Sequence, residues 1–426
     1  MATAIFEIAG TDFEAKALQW AQQFADVCYL QSNGYEDEYG ALNAVLAVDA
    51  HDTFRSSTTQ TFTQLENFRA KHAQQWMFGF FSYDLKNEIE HLHTDFPDPL
   101  EFPNAYFFVP KILLRFTAST VEIDAQDPST IYESIIAEKV KAPNPDFHGT
   151  IRARMSKADY MEAFTKMKEH IQRGDIYEVN LCQEFFAEDA ELKPLDTYQL
   201  LNEISPTPFS TFFKAGAQYI MSASPERFLA KRGDTLISQP IKGTAPRGNT
   251  AAEDERIKEE LRNNPKEIAE NVMIVDLVRN DMTRSAQPGT VAADKKLEIK
   301  SYQQVHQLVS TIVCQKNNNI SDIAAIAHIF PPGSMTGAPK ISAMRLCDRY
   351  EASRRSVYAG TVGYFAPNGD FDFNVIIRSL IYNAANQYLS FHTGGAITYA
   401  AEAEKEYAEC LLKAKAILRT LNSDLQ

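Results

Sequence analysis

Ile237-Ser238-Gln239-Pro240-Ile241-Lys242-Gly243-Thr244 has the pattern of a β-strand that ends in a glycine turn, with a single lysine at the mouth of the strand. A hairpin turn is predicted just before it, at Gly233. The segment that carries Glu226 then pairs antiparallel with the strand that carries Lys242. A carboxyl and an amine held close on rigid strands can act as general acid and nucleophile. A simple ion pair at the strand mouth explains the same spacing and is the commoner outcome.

The bulk composition is that of a globular protein. The chain has 426 residues, of which 44% are hydrophobic and 23% charged. Its net charge of −14 disfavours binding to nucleic acid or to anionic membranes. Residues 1–20 do not resemble a secretory signal, and no run reaches the ~18 apolar residues of a membrane-spanning helix. The five cysteines are an odd number without a CxxC pair, so we expect buried small side chains and a cytoplasmic location.

Two regions are predicted, packed as one globule. Residues 1–145 alternate short strands and helices, and a proline-rich segment at 141–145 separates them from a second region at 150–424. Antiparallel patterning dominates after residue 357, where Asn368-Gly369 predicts a hairpin turn. The whole indicates an α+β fold of large antiparallel β-sheets flanked by helices, not a doubly wound sheet.

Several local signals predict where elements begin and end. Ser156 is the expected N-cap of a helix that Gly174 ends. A long helix over 253–280 is expected to break near Pro265. A strand over 177–186 would expose Glu178 on one face. Further strands are expected at 357–365, 371–382 and 388–393, with Gly394-Gly395 leading out of the last, and a final helix is expected over 402–421.

Two of the predicted helices carry pairs of glutamates three residues apart, Glu267 with Glu270 and Glu406 with Glu409. This spacing places both carboxylates of a pair on one helix face, where like charges repel. A hard divalent cation would relieve the repulsion, and Mg²⁺ suits one or two carboxylates from each helix. A solvated acidic face is the simpler interpretation of either pair taken alone.

The cationic and histidine candidates each have two interpretations. Arg378 lies in an apolar run, where it either pairs with a buried acid or holds an anionic ligand. Lys413, one turn after Glu409, is either an i,i+4 salt bridge or a second anion contact. His306 alone is typical of a satisfied core histidine. The segment 333–340 is not a phosphate loop, although its backbone N–H groups and hydroxyls could contact an anion.

Taken together, these motifs resemble the chorismate-binding enzymes, which include anthranilate synthase large subunits, aminodeoxychorismate synthase component I and the isochorismate and salicylate synthases. The resemblance covers residues from about 150 to the end, in the order of the family. The segments that carry it are 174–181, 224–228, 240–244, 269–281, 333–340 and 406–409.

Within that family, Lys242 is characteristic of the para-aminobenzoate branch, since anthranilate synthases have alanine there. The resemblance therefore implies the reaction of an aminodeoxychorismate synthase component I, in which chorismate and ammonia give 4-amino-4-deoxychorismate for folate biosynthesis. It also implies a separate glutamine amidotransferase subunit as the source of ammonia. The alternatives are an anthranilate synthase component I and a non-catalytic chorismate-binding protein.

The resemblance also assigns roles to residues. Lys242 is expected to attack the ring and Glu226 to protonate the departing 4-hydroxyl, which requires a lowered lysine pKa and a raised glutamate pKa. Mg²⁺ is expected on Glu270 and Glu409, supported by Glu267 and Glu406. The expected substrate contacts are Glu178, Gly243, Thr244, His306, Thr336, Tyr358, Arg378, Gly394, Gly395 and Lys413.

One of these contacts departs from the family pattern. Glu178 stands where amine-adding members usually have glutamine and water-adding members have lysine. It either helps to deprotonate incoming ammonium or pairs with a neighbouring cation, and the sequence leaves both possibilities open.

Overall fold

The computed structural model describes residues 2–56 and 59–426, and within them the chain forms twenty strands and eleven α-helices. The strands are β1 (Ala2–Glu7), β2 (Asp26–Gln31), β3 (Ala44–Arg55), β4 (Met77–Phe81), β5 (Ala105–Phe116), β6 (Thr120–Ala125), β7 (Arg152–Ala153), β8 (Glu178–Ala187), β9 (Phe209–Ala215), β10 (Gln218–Ser224), β11 (Arg227–Arg232), β12 (Thr235–Gln239), β13 (Ile241–Pro246), β14 (Ala292–Ser301), β15 (Val305–Gln315), β16 (Gly337–Ala338), β17 (Thr361–Phe365), β18 (Phe371–Val375), β19 (Ser379–Asn383) and β20 (Tyr388–Ile397). The helices are α1 (Phe13–Ala21), α2 (Thr61–Lys71), α3 (Lys86–Ile89), α4 (Pro128–Ile136), α5 (Lys157–Arg173), α6 (Pro194–Ile204), α7 (Ala251–Asn263), α8 (Pro265–Thr283), α9 (Asp322–Ile329), α10 (Lys340–Tyr350) and α11 (Ala403–Thr420).

The strands form two antiparallel runs. The first run has the order β1-β6-β5-β3-β2-β9-β10-β19-β20-β8, and β7 and β16 also pair with β8. The second run has the order β4-β17-β18-β11-β12-β15, and β13 and β14 also pair with β15. The two runs join where β4 pairs with β5. The expected α+β fold with large antiparallel sheets is confirmed.

The backbone crosses between the two runs several times, and two of these crossings are neighbours. It passes from β10 to β11 at Glu226, and from β18 to β19 at Arg378. The crossings are tied together, because the Val375 amide donates to the Glu226 carbonyl at 3.0 Å and the Ala223 amide donates to the Arg378 carbonyl at 3.2 Å. Glu226 and Arg378, both predicted site residues, therefore lie side by side between the two runs.

Three of the predicted helix boundaries are confirmed. Ser156 and Asp159 form a reciprocal capping box at the start of α5, and Gly174 ends that helix with a φ of 81°. The predicted helix over 253–280 is split into α7 and α8 at Pro265, where Asn264 caps the new helix through its side chain.

Three strand predictions need correction. The strand over 371–382 is two strands, because the chain changes partners at Arg378, whose φ is 53°. Gly394 and Gly395 lie inside β20 instead of leading out of it. Gly243 does not end its strand in a turn: β13 continues to Pro246, and the glycine lies in a bulge between Ile241 and Thr244.

The interior is apolar and contains all five cysteines as free thiols. One core cluster lies between the first run and helices such as α1, α6 and α11, and another lies between the second run and α8 and α9. Among residues 2–56 and 59–426, no helix has the length and apolarity that a lipid bilayer crossing requires. The boundary predicted between 145 and 150 stays a prediction.

Candidate active site

The Lys242 side chain is aimed by a bulge in β13. The register against β15 shifts between the pairs Ile241–Val309 and Thr244–Gln307, which leaves Lys242 and Gly243 as the irregular residues. Gly243 has a φ of 95°, a conformation that favours glycine. A Cβ atom there would also lie 3.1 Å from Oε2 of Glu267, so the glycine lets an acidic side chain approach the backbone.

Lys242 forms an ion pair with Glu178, the first residue of β8. The Lys242 Nζ lies 2.7 Å from Oε1 of Glu178, and the two side chains are 11% and 1% exposed. Burial alone would lower the pKa of the Lys242 amine, but Glu178, with Glu270 and Glu226 nearby, raises it above its usual value. Two expectations are therefore wrong: Glu178 is not exposed, and the Lys242 pKa is raised and not lowered.

Glu226 lies in the chain crossing between β10 and β11, where it is 4% exposed. Its Oε1 accepts a hydrogen bond of 2.6 Å from the Ser334 hydroxyl. Burial raises the pKa of Glu226 to about 7, against the opposing effects of the Ser334 hydrogen bond and the Lys242 charge. The expected upward shift is confirmed, and this carboxyl group can hold a proton near neutral pH.

Four glutamates project from α8 and α11 towards this region. Glu270 and Glu406 are buried, and the pKa of Glu270 is raised to about 7, mainly by burial. Burial also raises the pKa values of Glu267 and Glu406, and neighbouring carboxylates add to both shifts. Glu409 differs: burial acts to raise its pKa, but Lys413, Lys266 and Lys242 together outweigh burial and lower it.

The four carboxylates are donors of the kind that a divalent cation takes, but their side chains are not arranged around a common centre. Oε1 of Glu270 is buried without a hydrogen-bond partner. The Lys266 amine lies 3.7 Å from that oxygen and 3.5 Å from Oε1 of Glu406, so a positive charge already lies between α8 and α11. In the described part of the chain, no three His, Cys, Asp or Glu side chains are grouped closely enough to hold a metal ion as they stand. The Mg²⁺ assignment stays a prediction.

Arg378 is a half-buried cation without a partner for its guanidinium group among the described residues. Burial lowers its pKa, which the nearby Tyr358 and Glu409 partly oppose. The first of the two interpretations, a buried ion pair, is therefore not seen, and the group remains free to bind an anion. Tyr358 lies just before β17, is 4% exposed and stacks on His392 with ring centroids 4.9 Å apart.

Lys413 and the glycine pair of β20 lie beside the glutamates. The Lys413 amine donates to the Gly394 carbonyl at 2.7 Å and pairs with Glu409 at 2.8 Å, so the predicted i,i+4 salt bridge is present. A Cβ atom on Gly395 would lie 2.7 Å from Oε2 of Glu406. The absence of a side chain at Gly395 therefore leaves space for the Glu406 carboxylate.

His306 and Gln307 are adjacent residues of β15, so their side chains lie on opposite faces of the strand. His306 is fully buried, and its ring nitrogens bond Ser301 at 2.8 Å and Asp254 at 2.9 Å, as expected for a satisfied core histidine. Gln307 instead faces Thr244, with its Nε2 3.5 Å from the hydroxyl and its Oε1 buried without a partner. The sequence analysis missed Gln307, although adjacent strand residues must face opposite sides.

Thr336 and the loop around it are held by a buried ion pair that the sequence analysis also missed. The Thr336 hydroxyl donates to the Gly333 carbonyl at 3.0 Å. Arg355 is paired with Glu351 and donates to the carbonyls of Met335 and Asn180 at 2.6 and 2.8 Å. Arg355 therefore fixes the loop that carries Ser334 against the start of β8. In sequence this pair resembles an ordinary i,i+4 surface salt bridge.

Comparison with known proteins shows which proteins this chain is similar to. The profile of the chorismate binding enzyme family matches residues 25–419. An aminodeoxychorismate synthase of Streptomyces griseus is 39% identical over 277 residues, which are 65% of this chain and 38% of that protein. The anthranilate synthase component 1 of Cereibacter sphaeroides is 33% identical over 366 residues, which are 80% of this chain and 73% of that protein.

A solved structure shares the fold. Anthranilate synthase component I from Streptococcus pneumoniae superposes with a TM-score of 0.76 at 22% identity, covering 90% of this chain and 95% of that chain. One of these relatives is thus named an aminodeoxychorismate synthase, and the other two are named anthranilate synthases. Because a single family profile covers nearly the whole sequence, the chain belongs to the chorismate binding enzyme family.

Proposed function

We propose that this chain is an aminodeoxychorismate synthase component I, which converts chorismate and ammonia to 4-amino-4-deoxychorismate on the route to para-aminobenzoate and folate. The observation that supports it most directly is the buried Lys242 amine, flanked by the carboxyl groups of Glu178 and Glu226. A nucleophile with a proton acceptor on one side and a proton donor on the other suits substitution of a hydroxyl group.

In the first half of the proposed reaction, Lys242 passes its proton to Glu178 across the 2.7 Å contact. The neutral amine then forms a bond to C2 of chorismate, the two ring double bonds shift, and the C4–O bond breaks. Glu226 gives its proton to the departing hydroxyl, which leaves as water. The buried position of Glu226, with a pKa of about 7, keeps that proton available at neutral pH.

In the second half, the nitrogen of ammonia bonds to C4, the double bonds shift back, and the C2–N bond to Lys242 breaks. The amine is released for another cycle. We propose that a separate glutamine amidotransferase subunit supplies the ammonia.

The substrate is a dianion, and the proposal gives each carboxylate a binding group. Arg378 has no protein partner among the described residues and would bind one carboxylate through its fork. Glu270 and Glu409, supported by Glu267 and Glu406, would hold Mg²⁺. When bound, this ion would neutralise the ring carboxylate and withdraw electron density from the ring.

A second candidate function is that of an anthranilate synthase component I, which the 33% identical relative from Cereibacter sphaeroides favours. The lysine at position 242 argues against it, because the anthranilate branch has alanine there.

The test is to incubate the purified chain with chorismate, Mg²⁺ and an ammonium salt and to identify the product by mass spectrometry. We expect 4-amino-4-deoxychorismate, and fluorescent anthranilate would contradict the proposal. Lys242→Ala should slow the reaction and abolish any adduct of chorismate mass on the protein. An unchanged rate in that variant would exclude the covalent step.

A further inference from the structure

One oxygen of Glu178 has a role that the ion pair does not explain. Its side chain is 1% exposed, and Oε1 is taken by Lys242. The second oxygen, Oε2, is buried and accepts no hydrogen bond from any described residue. A buried carboxylate oxygen left without a donor is costly, so this atom is prepared for a ligand that supplies one.

The charges around Glu178 select a small cation. Lys242 on β13 is the positive group paired with it, and Glu270 on α8 lies near enough to interact with both Glu178 and Lys242. Glu226 adds a further acidic group next to Lys242. The paired strand β16 contributes only Gly337 and Ala338 opposite the start of β8. A carboxylate oxygen that lacks a donor attracts a cation and repels an anion, and one amine cation already lies on the same carboxylate.

We propose that Oε2 of Glu178 is the subsite for the ammonium ion, so that the chain takes its nitrogen substrate as a cation and not as neutral ammonia. This inference rests on the proposed function and specifies how the second substrate is bound. A glutamine at this position would be uncharged and would bind neutral ammonia instead.

The protons balance over one cycle. Glu178, having taken the Lys242 proton, releases it to solvent once the lysine is bonded to C2. Glu226, which has given its proton to the departing hydroxyl, takes one proton back from solvent. Ammonium then binds at Oε2 and transfers a proton to Glu178. The resulting ammonia bonds to C4, Lys242 leaves C2 with the electron pair of the broken bond, and Glu178 returns its proton to the amine. The sum is chorismate and ammonium giving protonated 4-amino-4-deoxychorismate and water.

The test compares the KM for total ammonium, the sum of cation and free base, between about pH 7 and pH 8.5 in the wild-type chain and in Glu178→Gln. If the cation binds, the wild-type KM should stay constant within about twofold, because nearly all ammonium is protonated in this range. In Glu178→Gln the KM at neutral pH should rise about ten- to a hundredfold, the loss expected for a hydrogen bond to a charged group. It should also fall about tenfold per pH unit, following the free base.

Glu184→Gln is the matched control. Glu184 is a buried glutamate on the same strand, and it is paired with Arg154 at 2.9 Å away from the site. Its variant should keep the wild-type KM and pH dependence. If wild-type turnover proceeds but its KM follows the free base as in Glu178→Gln, then Oε2 binds only water, and the inference is wrong although the proposed function stands.

A second measurement covers the case in which no 4-amino-4-deoxychorismate forms at all. Rubidium has nearly the radius of ammonium and is seen by anomalous scattering, so crystals of the full chain soaked in a rubidium salt report on the subsite without catalysis. A peak at Oε2 of Glu178 in the wild-type chain, absent in Glu178→Gln, would support the cation subsite. A water with no anomalous signal there would refute it.

Discussion

The Nζ atom of Lys242 lies 2.7 Å from Oε1 of Glu178, and both side chains are almost completely withdrawn from solvent. These residues are 64 positions apart in sequence, and they meet because β8 and β13 bring the ends of the two strand runs together. Their pairing sets both the resting charge of the Lys242 amine and the stability of the site.

The first prediction concerns the energy of that pair. Lys242→Met should lower the free energy of unfolding by about 3–5 kcal/mol, because it leaves a buried carboxylate without its cation. The double variant with Glu178→Gln should recover most of this loss, since neither side chain is then charged. Urea denaturation measures both values. Lys111→Met, which removes an exposed pair with Asp49, should cost less than about 1 kcal/mol. An equally small effect of Lys242→Met would contradict the prediction.

The second prediction concerns the pH dependence of turnover. In the proposed reaction Glu226 acts as a protonated acid, and its pKa is about 7, so at saturating Mg²⁺ the rate should fall as the pH rises above that value. Ser334 stabilises the ionised form through its hydrogen bond, so Ser334→Ala should raise the Glu226 pKa and move this limb of the pH–rate profile to higher pH. Glu226→Gln should reduce the rate about 10²- to 10⁴-fold and remove the limb.

Ser390→Ala is the control for that shift. Ser390 donates an equivalent hydrogen bond of 2.8 Å to a buried glutamate, Glu184, outside the site. Its loss should leave the profile in place. A profile that does not move in Ser334→Ala, or that moves equally in Ser390→Ala, would show that Glu226 is not the titrating acid.

The third prediction concerns metal binding. Mg²⁺ requires ionised carboxylates, and Glu270 has a pKa of about 7, so the affinity for Mg²⁺ should weaken as the pH falls below that value. Calorimetric titration at about pH 8 and pH 6 measures this difference. Glu270→Gln should weaken binding at both pH values, whereas Glu255→Gln, at a residue whose side chain is 71% exposed, should not. Equal affinities in the two variants would exclude the glutamates of α8 from the metal site.

Sequence patterns could predict the local features of this protein because their causes are local. The Ser156 capping box, the break at Pro265 and the turn at Gly233 each depend on residues a few positions apart. The raised pKa of Glu226 was expected for another reason, because the family resemblance implies the role of a general acid for this residue.

The missed features depend on contacts between distant segments. The break at Arg378 arises because β18 and β19 have partners in different strand runs, which no local signal reveals. The same applies to Glu178, which is polar and begins a strand, but is buried because Lys242 neutralises it. Gln307 was within reach of a sequence argument, since strand alternation separates it from His306.

The fourth prediction separates binding from structure with two arginines, the half-buried Arg378 and the buried Arg355. Arg378 has no partner to lose among residues 2–56 and 59–426, so Arg378→Ala should leave the free energy of unfolding nearly unchanged. It should weaken chorismate binding about ten- to a hundredfold, as expected for a lost charged hydrogen bond. Arg355→Ala should behave in the opposite way, because it strands Glu351 and two carbonyl groups in the interior and so costs several kcal/mol of stability, on the order of 3–5. Equilibrium binding of chorismate and urea denaturation of both variants give the comparison. A destabilised Arg378→Ala with unchanged chorismate affinity would show that this guanidinium group stabilises the fold and does not bind the substrate.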